Sequence, residues 1–204
     1  MPLTSGTKLG PYEIVAPLGV GGMGEVYHAR DVRLERDVAI KVLKASLAAD
    51  SSLKQRLERE AKAISRLSHP HICALYDIGH QDGVDFLVIE YLEGETLEQR
   101  LLRGPLPIEQ ALRYAAEIAG ALATAHKLGI THRDLKPSNV MLTKNGAKLL
   151  DFGLVKQADS SPLADALTEM TLDQPKLTGE GTLIGTFQYM APEQLEGKEA
   201  DARG

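Results

Sequence analysis

The sequence predicts an α+β protein of two lobes, the first an antiparallel sheet with one helix and the second mainly helical. Short strand patterns separated by turn residues fill the first 92 residues. Beyond them, apolar residues recur at spacings of three and four over one long segment. A chain of 204 residues suffices for one domain or two small lobes. We therefore expect a tail at 1–11, an N-lobe at 12–92 and a C-lobe at 93–204.

Three strands are predicted at the start of the N-lobe, at 12–18, 25–29 and 37–43. A helix follows, because Leu53, Leu57, Ile64 and Leu67 lie at helical spacings, with Asp50, Ser51 and Ser52 as candidate N-caps. His69-Pro70 ends this helix. Strands near 72–78 and 84–91 complete the small sheet.

The C-lobe pattern is dominated by one long helix at 108–126, ended by a glycine cap at Gly129. Two short strands at 140–142 and 147–150 follow it, joined around Asn145-Gly146, a common hairpin turn. The polar stretch at 157–180 predicts a long loop. The apolar stripe of the helix consists of Ile108, Ala111, Leu112, Ala115, Ile118, Ala119, Leu122 and Ala125.

Charge and cysteine content exclude several classes of protein. The net charge of -5 argues against a broad basic surface, so no nucleic-acid partner is expected. One cysteine, Cys73, cannot form an intramolecular disulfide, which fits a reducing cytoplasm. No apolar run approaches the ~18–20 residues that span a bilayer, and the N-terminus lacks the apolar core of a signal peptide. No membrane segment is therefore expected in this chain.

A glycine-rich motif lies between the first two strands. Gly19, Gly21, Gly22 and Gly24 match G-x-G-x-x-G, which occurs in two nucleotide-binding folds. A dinucleotide-binding fold needs a helix after the last glycine, whereas 25–29 has the pattern of a strand. A hairpin whose backbone N–H groups close over ATP phosphates fits better. On this motif alone, a flexible hairpin without a ligand is an equal alternative.

A lysine on the third strand is the next candidate. Lys41 ends a V-A-I-K segment seventeen residues after Gly24. A strand lysine that faces a nucleotide can hold its α- and β-phosphates, provided that a carboxylate orients it. Glu60 is that candidate, because it shares one helix face with Leu57 and Ile64. We therefore expect Glu60 to pair with Lys41.

Three further motifs complete an ordered set. The segments are HRDLKPSN at 132–139, DFG at 151–153 and GTFQYMAPE at 185–193. With the glycine motif and the strand lysine, all five stand in the order found in protein kinases. From about Leu9 onward the sequence resembles the eukaryotic-like serine/threonine protein kinases of bacteria. Lys136, together with Thr186, is typical of the Ser/Thr-specific form.

This resemblance implies a two-lobed kinase fold, a phosphotransfer activity in signalling and a role for each motif. Asp134 would accept the proton of the substrate hydroxyl, and Lys136 would neutralise the transferred phosphoryl. Lys41 and Glu60 would fix the α/β-phosphates of ATP beneath the glycine loop. Asn139 and Asp151 would hold Mg²⁺ or Mn²⁺, hard cations that prefer oxygen ligands.

The adenine site is implied by the same resemblance. Val26 and Ala39 above the base and Met141 below it would form an apolar slot, with Ile89 as gatekeeper. Glu90, Tyr91 and Leu92 resemble the hinge, whose backbone groups bind the base. For the four apolar side chains, plain core packing is the rival interpretation.

The expected partners are ATP, proteins with Ser or Thr acceptors, and a second copy of the chain for autophosphorylation. The loop at 157–180 and the residues after it carry hydroxyls, and a phosphate there would pair with Arg133 and order the loop. Thr178 and Thr182 are the best-placed acceptors. The cluster His69, His71, Cys73 and His80 matches no zinc pattern and is expected to pack or to lie at the surface, with Cys73 as a small buried apolar residue on a strand.

The resemblance also implies C-lobe helices beyond Gly204, including an arginine partner for Glu193 and a cover for the long helix. On that basis the sequence predicts a complete N-lobe and a truncated, incomplete C-lobe. The alternative to an active kinase is a remnant that binds nucleotide or a partner without phosphotransfer.

Overall fold

The computed structural model describes residues 2–21, 24–43, 51–152 and 188–195. Within them, one antiparallel sheet has six strands in the order β1-β2-β3-β4-β6-β5. The predicted loop at 157–180, its threonines, Gly22 and Asp50 lie outside the described residues. The strands are β1 (Lys8–Leu9), β2 (Tyr12–Gly21), β3 (Gly24–Asp31), β4 (Arg36–Leu43), β5 (Leu75–Gln81) and β6 (Val84–Glu90).

The five predicted strands of the N-terminal half are present, but β5 begins three residues later than expected. Ile72 instead forms an isolated parallel bridge with Leu149 of the second sheet. The backbone N–H of Cys73 donates to the same Leu149 at 2.9 Å. Cys73 is therefore half-buried beside a strand rather than on one, which corrects the prediction. This segment ties the two halves of the chain together through backbone contacts.

One face of the large sheet carries a closed apolar core, which we call the outer cluster. Alternation along each strand puts these residues on one side and Ala39 and Lys41 on the other. Ile40 and Val38 are fully buried at its centre. The cluster comprises Leu9, Tyr12, Ile14, Tyr27, Ala29, Val38, Ile40, Phe86 and Val88.

The opposite face begins a second core, the inner cluster. Helix α1 (Ser51–Ile64) packs Ala61 and Ile64 into it beside Leu43 and Leu87 of the sheet. The same cluster continues without a break into Val140, Leu142, Ala147, Leu149 and Phe152 of the C-terminal half. The site residues Lys41 and Asp151 lie along this continuous core, so its packing sets the distance between them.

The C-terminal half contains a small sheet and the long predicted helix. Strands β7 (Glu95–Thr96), β8 (Val140–Thr143) and β9 (Gly146–Leu149) pair in that order. The helices are α2 (Leu97–Leu101), α3 (Ile108–Lys127), a 3-10 turn (Pro137–Asn139) and α4 (Pro192–Leu195). None of the helices among the described residues is long and apolar enough to cross a membrane.

The end of α3 follows the prediction closely. Gly129 adopts the left-handed conformation at φ 73°. Its N–H donates to the carbonyl of His126 at 2.9 Å, and the N–H of Ile130 donates to that of Ala125 at 3.0 Å. These two bonds define a Schellman cap, which needs a glycine at this position.

The buried face of α3 includes part of the predicted stripe, because Ala125 is buried and Ile118 and Leu122 pack against the inner cluster. Ile108 and Leu112 are 71% and 65% exposed, whereas Ala121 and Ala125 are fully buried. Tyr114, outside the predicted stripe, packs against the inner cluster. Small residues at 121 and 125 let strand β9 approach the helix closely, which rotates the contact face toward them.

Two further details were missed or misplaced. Helix α2 was not expected, although Thr96 and Gln99 form a capping box that the sequence could have revealed. In the β8–β9 hairpin, Thr143 pairs with Gly146, so Lys144 and Asn145 occupy the turn rather than Asn145-Gly146. Gly146 lies at φ 108°, and a Cβ there would meet the Glu117 carboxylate at 2.7 Å.

Candidate active site

The candidate active site is built around two residues with unusual backbone geometry. Arg133 lies at φ 62° in the loop after α3, and Asp151 lies at φ 50° after β9. Residues with a Cβ adopt this left-handed region at a cost, which surrounding contacts must offset. Contacts with neighbouring residues must therefore hold the backbone at both positions.

Asp134 is the best-anchored side chain of the site. It is 5% exposed. Asn139 Nδ2 donates both to the Asp134 carbonyl at 2.8 Å and to its Oδ2 at 3.0 Å. Lys136 Nζ lies 3.3 Å from the same Oδ2. The structure thus brings three of the predicted site residues together around one carboxylate.

His132 connects this carboxylate to the strand that leads to Asp151. The N–H of Asp134 donates to His132 Nδ1 at 3.3 Å, and the Nε2 atom contacts the Leu150 carbonyl at 2.8 Å. These partners require a ring with its proton on Nε2 and none on Nδ1. Burial lowers the pKa of His132, which favours this neutral form. His132 therefore sets the spacing between the two aspartate segments.

Lys41 and Asp151 meet across the inner cluster. Lys41 Nζ lies 2.8 Å from Asp151 Oδ1, and the lysine side chain is 7% exposed. Lys41 pairs with Val26 on β3, so both side chains lie on the same face of the sheet. A cation and a carboxylate are therefore in contact at the position where phosphates and a metal were expected.

Glu60 lies close to Arg133. Its Oε1 lies 3.7 Å from Nη1 of Arg133. Glu60, Arg133 and Phe152 also line one open pocket. The expected pairing of Glu60 with Lys41 stays a prediction, and the structure shows that Arg133 is within reach of the same carboxylate.

The glycine motif forms the end of the β2–β3 hairpin. Gly19 pairs with Val26, and Gly21 pairs with Gly24 at its tip. Gly24 lies at φ 136°, and a Cβ at this position would collide with the Val42 carbonyl on β4. Glycine is therefore required at 24 by packing as well as by backbone geometry.

The expected adenine residues flank the hinge. Ala39 is nearly buried and pairs with the gatekeeper candidate Ile89 on β6. Met141 is half-buried on β8. Glu90 is the last residue of β6, and Leu92 follows in the connection to β7. The structure places all these residues near the junction of the two sheets, and their contact with a base stays a prediction.

Three contacts at the site were not predicted. Lys148 forms an ion pair with Glu90 at 2.6 Å. His28 stacks on Tyr91 of the hinge, with ring centroids 4.3 Å apart. Gln194 Nε2 donates to the Arg133 carbonyl at 3.1 Å. The alternation of β9 could have indicated Lys148, whereas sequence offers no signal for a contact across 61 residues such as that of Gln194.

The two-sheet fold thus carries a glycine hairpin, a Lys41–Asp151 ion pair and an anchored Asp134. The sequence model of the family described as protein kinase domain matches residues 12–203. The chain therefore belongs to the protein kinase family.

The individual relatives are bacterial serine/threonine kinases. The chain is 43% identical over 201 residues to a probable serine/threonine-protein kinase of Streptomyces coelicolor, SCO3848, covering 95% of this chain and 28% of that protein. It is 41% identical over 198 residues to the kinase PknB of Mycobacterium leprae, covering 94% and 30% respectively. The chain thus spans less than a third of the length of these curated relatives.

Solved structures show the same fold. A crystal structure of the Mycobacterium tuberculosis PknI kinase domain matches with a TM-score of 0.74 at 33% identity. The match covers 99% of this chain and 72% of that one. The predicted kinase-type α+β fold is confirmed by this similarity.

Proposed function

We propose that this chain is the catalytic domain of a cytoplasmic, ATP-dependent protein kinase that phosphorylates Ser and Thr hydroxyls of proteins in signalling. The observation that carries the proposal is the Asp134 carboxylate, which Asn139 and Lys136 hold at hydrogen-bond distance. The division into an N-lobe at 12–92 and a C-lobe at 93–204 belongs to the same proposal, with the nucleotide between the lobes.

Asp134 is the group that receives the proton. A serine or threonine hydroxyl is a weak nucleophile, so a positioned carboxylate that accepts its hydrogen bond orients the oxygen for attack on the γ-phosphorus. Lys136 lies beside the same carboxylate and places a positive charge where the transferred phosphoryl carries negative charge. Both functions depend on a fixed position, which the bonds from Asn139 and His132 supply.

Lys41, Asp151 and Asn139 serve the phosphate end of the nucleotide. The amide nitrogen of Asn139 is committed to Asp134, which leaves its oxygen as the other polar atom of the side chain. This oxygen and the Asp151 carboxylate are hard donors that fit Mg²⁺ or Mn²⁺. The metal, when bound, neutralises phosphate charge. Lys41 contacts Asp151 and can bind the α/β-phosphates beside it.

The purine end is assigned to the hinge and the apolar slot. Val26, Ala39 and Met141 supply apolar surface, and the backbone of Glu90 and Leu92 supplies polar groups at its edge. The glycine hairpin lies above the phosphates, where residues without a Cβ allow close approach of backbone N–H groups and exclude water.

Regulation by phosphorylation follows from the position of Arg133. Its guanidinium lies near Glu60, the carboxylate that orients Lys41 in this proposal. A phosphate on Thr178 or Thr182 would compete for Arg133 by forming charge-assisted hydrogen bonds. The loop that carries the phosphate would thereby be ordered. Autophosphorylation between two copies of the chain is the proposed source of that phosphate.

The test compares transfer with binding in the full-length protein. Asp134→Asn keeps the shape of the side chain but removes the proton acceptor, so phosphate transfer to a Ser/Thr protein should fall to background while ATP binding remains. Lys41→Met should weaken ATP binding or abolish transfer. Transfer at the wild-type rate by a folded Asp134→Asn variant would overturn the proposal, as would ATP binding without transfer by the wild type.

A further inference from the structure

Lys148 joins the hinge to the strand that leads to Asp151. Its Nζ lies 2.6 Å from both carboxylate oxygens of Glu90. The two side chains are 15% and 24% exposed, so solvent screens this pair less than it screens the surface pairs. The ion pair crosses from β6 of the large sheet to β9 of the small sheet.

Glu90 is fixed on its other side by the segment before β5. Its N–H donates to the Ala74 carbonyl at 2.9 Å, and its Oε2 accepts from the Ala74 N–H at 3.2 Å. The Cys73 thiol lies 3.7 Å from the Glu90 carbonyl, and burial raises the pKa of that thiol to about 12, so it stays protonated. The hinge residue is thus held by main chain on one side and by Lys148 on the other.

The register of β8 and β9 places Lys148 next to the adenine slot. Lys148 pairs directly with Met141, and directly opposed residues of an antiparallel pair lie on the same face. Met141 is the expected floor of the slot, and Glu90 is the start of its polar edge. The contact between Lys148 and Glu90 therefore fixes the distance between Met141 and the hinge.

We propose that Lys148 is a positioning residue for the purine, holding the hinge at a fixed distance from Met141 through its ion pair with Glu90. The inference rests on the proposed nucleotide-binding function and adds to it a determinant of affinity for the base. It concerns the purine alone, because Lys41 and the glycine hairpin serve the phosphates. A lysine that merely stabilised the fold would affect purine and phosphate binding alike.

The experiment compares Lys148→Met with Lys144→Met in the full-length protein. Lys144 is exposed in the turn of the same hairpin, so its variant matches the change in charge and element. The probes are ATP with Mg²⁺ and inorganic tripolyphosphate with Mg²⁺, which lacks the purine. We expect Lys148→Met to raise the ATP Kd about tenfold, as loss of a charge-assisted contact predicts. Tripolyphosphate binding, kcat at saturating ATP and the Lys144→Met variant should be unchanged.

A double-mutant cycle keeps the inference falsifiable if one variant is unstable. Glu90→Gln should weaken ATP binding as Lys148→Met does, and the double variant should be no weaker than either single one. Lys148→Arg should retain wild-type affinity. Additive losses, an unchanged ATP Kd in Lys148→Met, or an equal loss for tripolyphosphate would overturn the inference. Failure of the wild type to bind ATP would instead overturn the proposed function.

Discussion

The outer cluster of the large sheet and the loop at 132–139, which is the catalytic loop in the proposed function, are stabilised by opposite kinds of interaction. Ile40 and Val88 are fully buried among apolar neighbours, and their strands have ordinary backbone geometry. Arg133 in the loop and Asp151 after β9 adopt left-handed backbone, and polar contacts of His132 and Asn139 hold their neighbours.

The difference determines what each region can tolerate. Apolar burial has no preferred direction, so the sheet loses stability in proportion to lost contact while its shape persists. Hydrogen bonds depend on angle and distance, so the loop can lose its geometry at little cost in overall stability. We expect variants of the sheet to change the free energy of unfolding and variants of the loop to change the rate of transfer.

The largest effect is expected from Ile40→Ala at the centre of the outer cluster. Removing a fully buried Ile side chain should lower the free energy of unfolding by ~2–5 kcal/mol. The matched control is Val15→Ala on β2, where the side chain is exposed and the change should be within about 0.5 kcal/mol. Urea unfolding measures both. A loss of transfer per folded molecule in Ile40→Ala would contradict the separation between sheet and loop.

The second effect concerns Gln194, whose amide bridges α4 and the catalytic loop. Its Oε1 accepts from the Ala191 N–H at 3.0 Å while its Nε2 donates to the Arg133 carbonyl. Gln194→Glu keeps the shape and the first contact but replaces the second with repulsion. We expect kcat to fall about tenfold, less than the ~100-fold that a 1 Å displacement of reacting groups can cost.

The ATP Kd and the free energy of unfolding should not change in Gln194→Glu. Gln110→Glu, at an exposed position on α3, supplies the same change in charge. Equal losses of kcat in both variants would show that charge, not the bond to Arg133, is responsible.

A third effect is a dependence on pH that arises in the loop. Burial lowers the pKa of His132 below its ordinary value of 6.5. In the unfolded chain His132 takes up a proton near pH 6.5, whereas the folded ring takes it up only at lower pH. The contribution of His132 to the free energy of unfolding is therefore fully present above pH 6.5 and declines as the pH falls below that value. Protonation at Nδ1 would also break the bond from the Asp134 N–H. Nitrogen NMR of the ring should show the neutral Nε2–H form at about pH 6.5, and a half-protonated His132 at that pH would contradict this assignment.

The smallest effect is expected at the capping box of α2, a short helix that packs against the 3-10 turn at Pro137–Asn139. Thr96 Oγ1 accepts from the Gln99 N–H at 3.1 Å. Thr96→Ala should cost ~1 kcal/mol of stability, as loss of an N-cap typically does, with kcat unchanged. Thr96→Ser retains the hydroxyl and is the control. A changed kcat would show that α2 is coupled to the loop.

Sequence patterns predict the two regions unequally. Strand alternation and helical spacing located the sheet, α1 and α3, because burial imposes those periods. For α3 they indicated Ile118, Leu122 and Ala125 correctly but missed Ala121, whose burial comes from a partner strand that periodicity does not show. Motif order identified the positions of Asp134, Asn139 and Asp151. It could not give the contact of Lys148 with Glu90, or those of Gln194 and Glu60 with Arg133. These contacts depend on distances between segments far apart in the chain.

Hydrogen exchange in the wild type and in Gln194→Glu tests the contrast between the two regions most directly. Strand β4 around Ile40 represents the apolar core, and the N–H groups of Asp134 and Asn139 represent the loop. We expect faster exchange at those two loop amides in Gln194→Glu, with exchange in β4 unchanged. Exchange that rose equally in β4 and in the loop, or in neither, would contradict the claim that polar contacts position the catalytic loop independently of the sheet core.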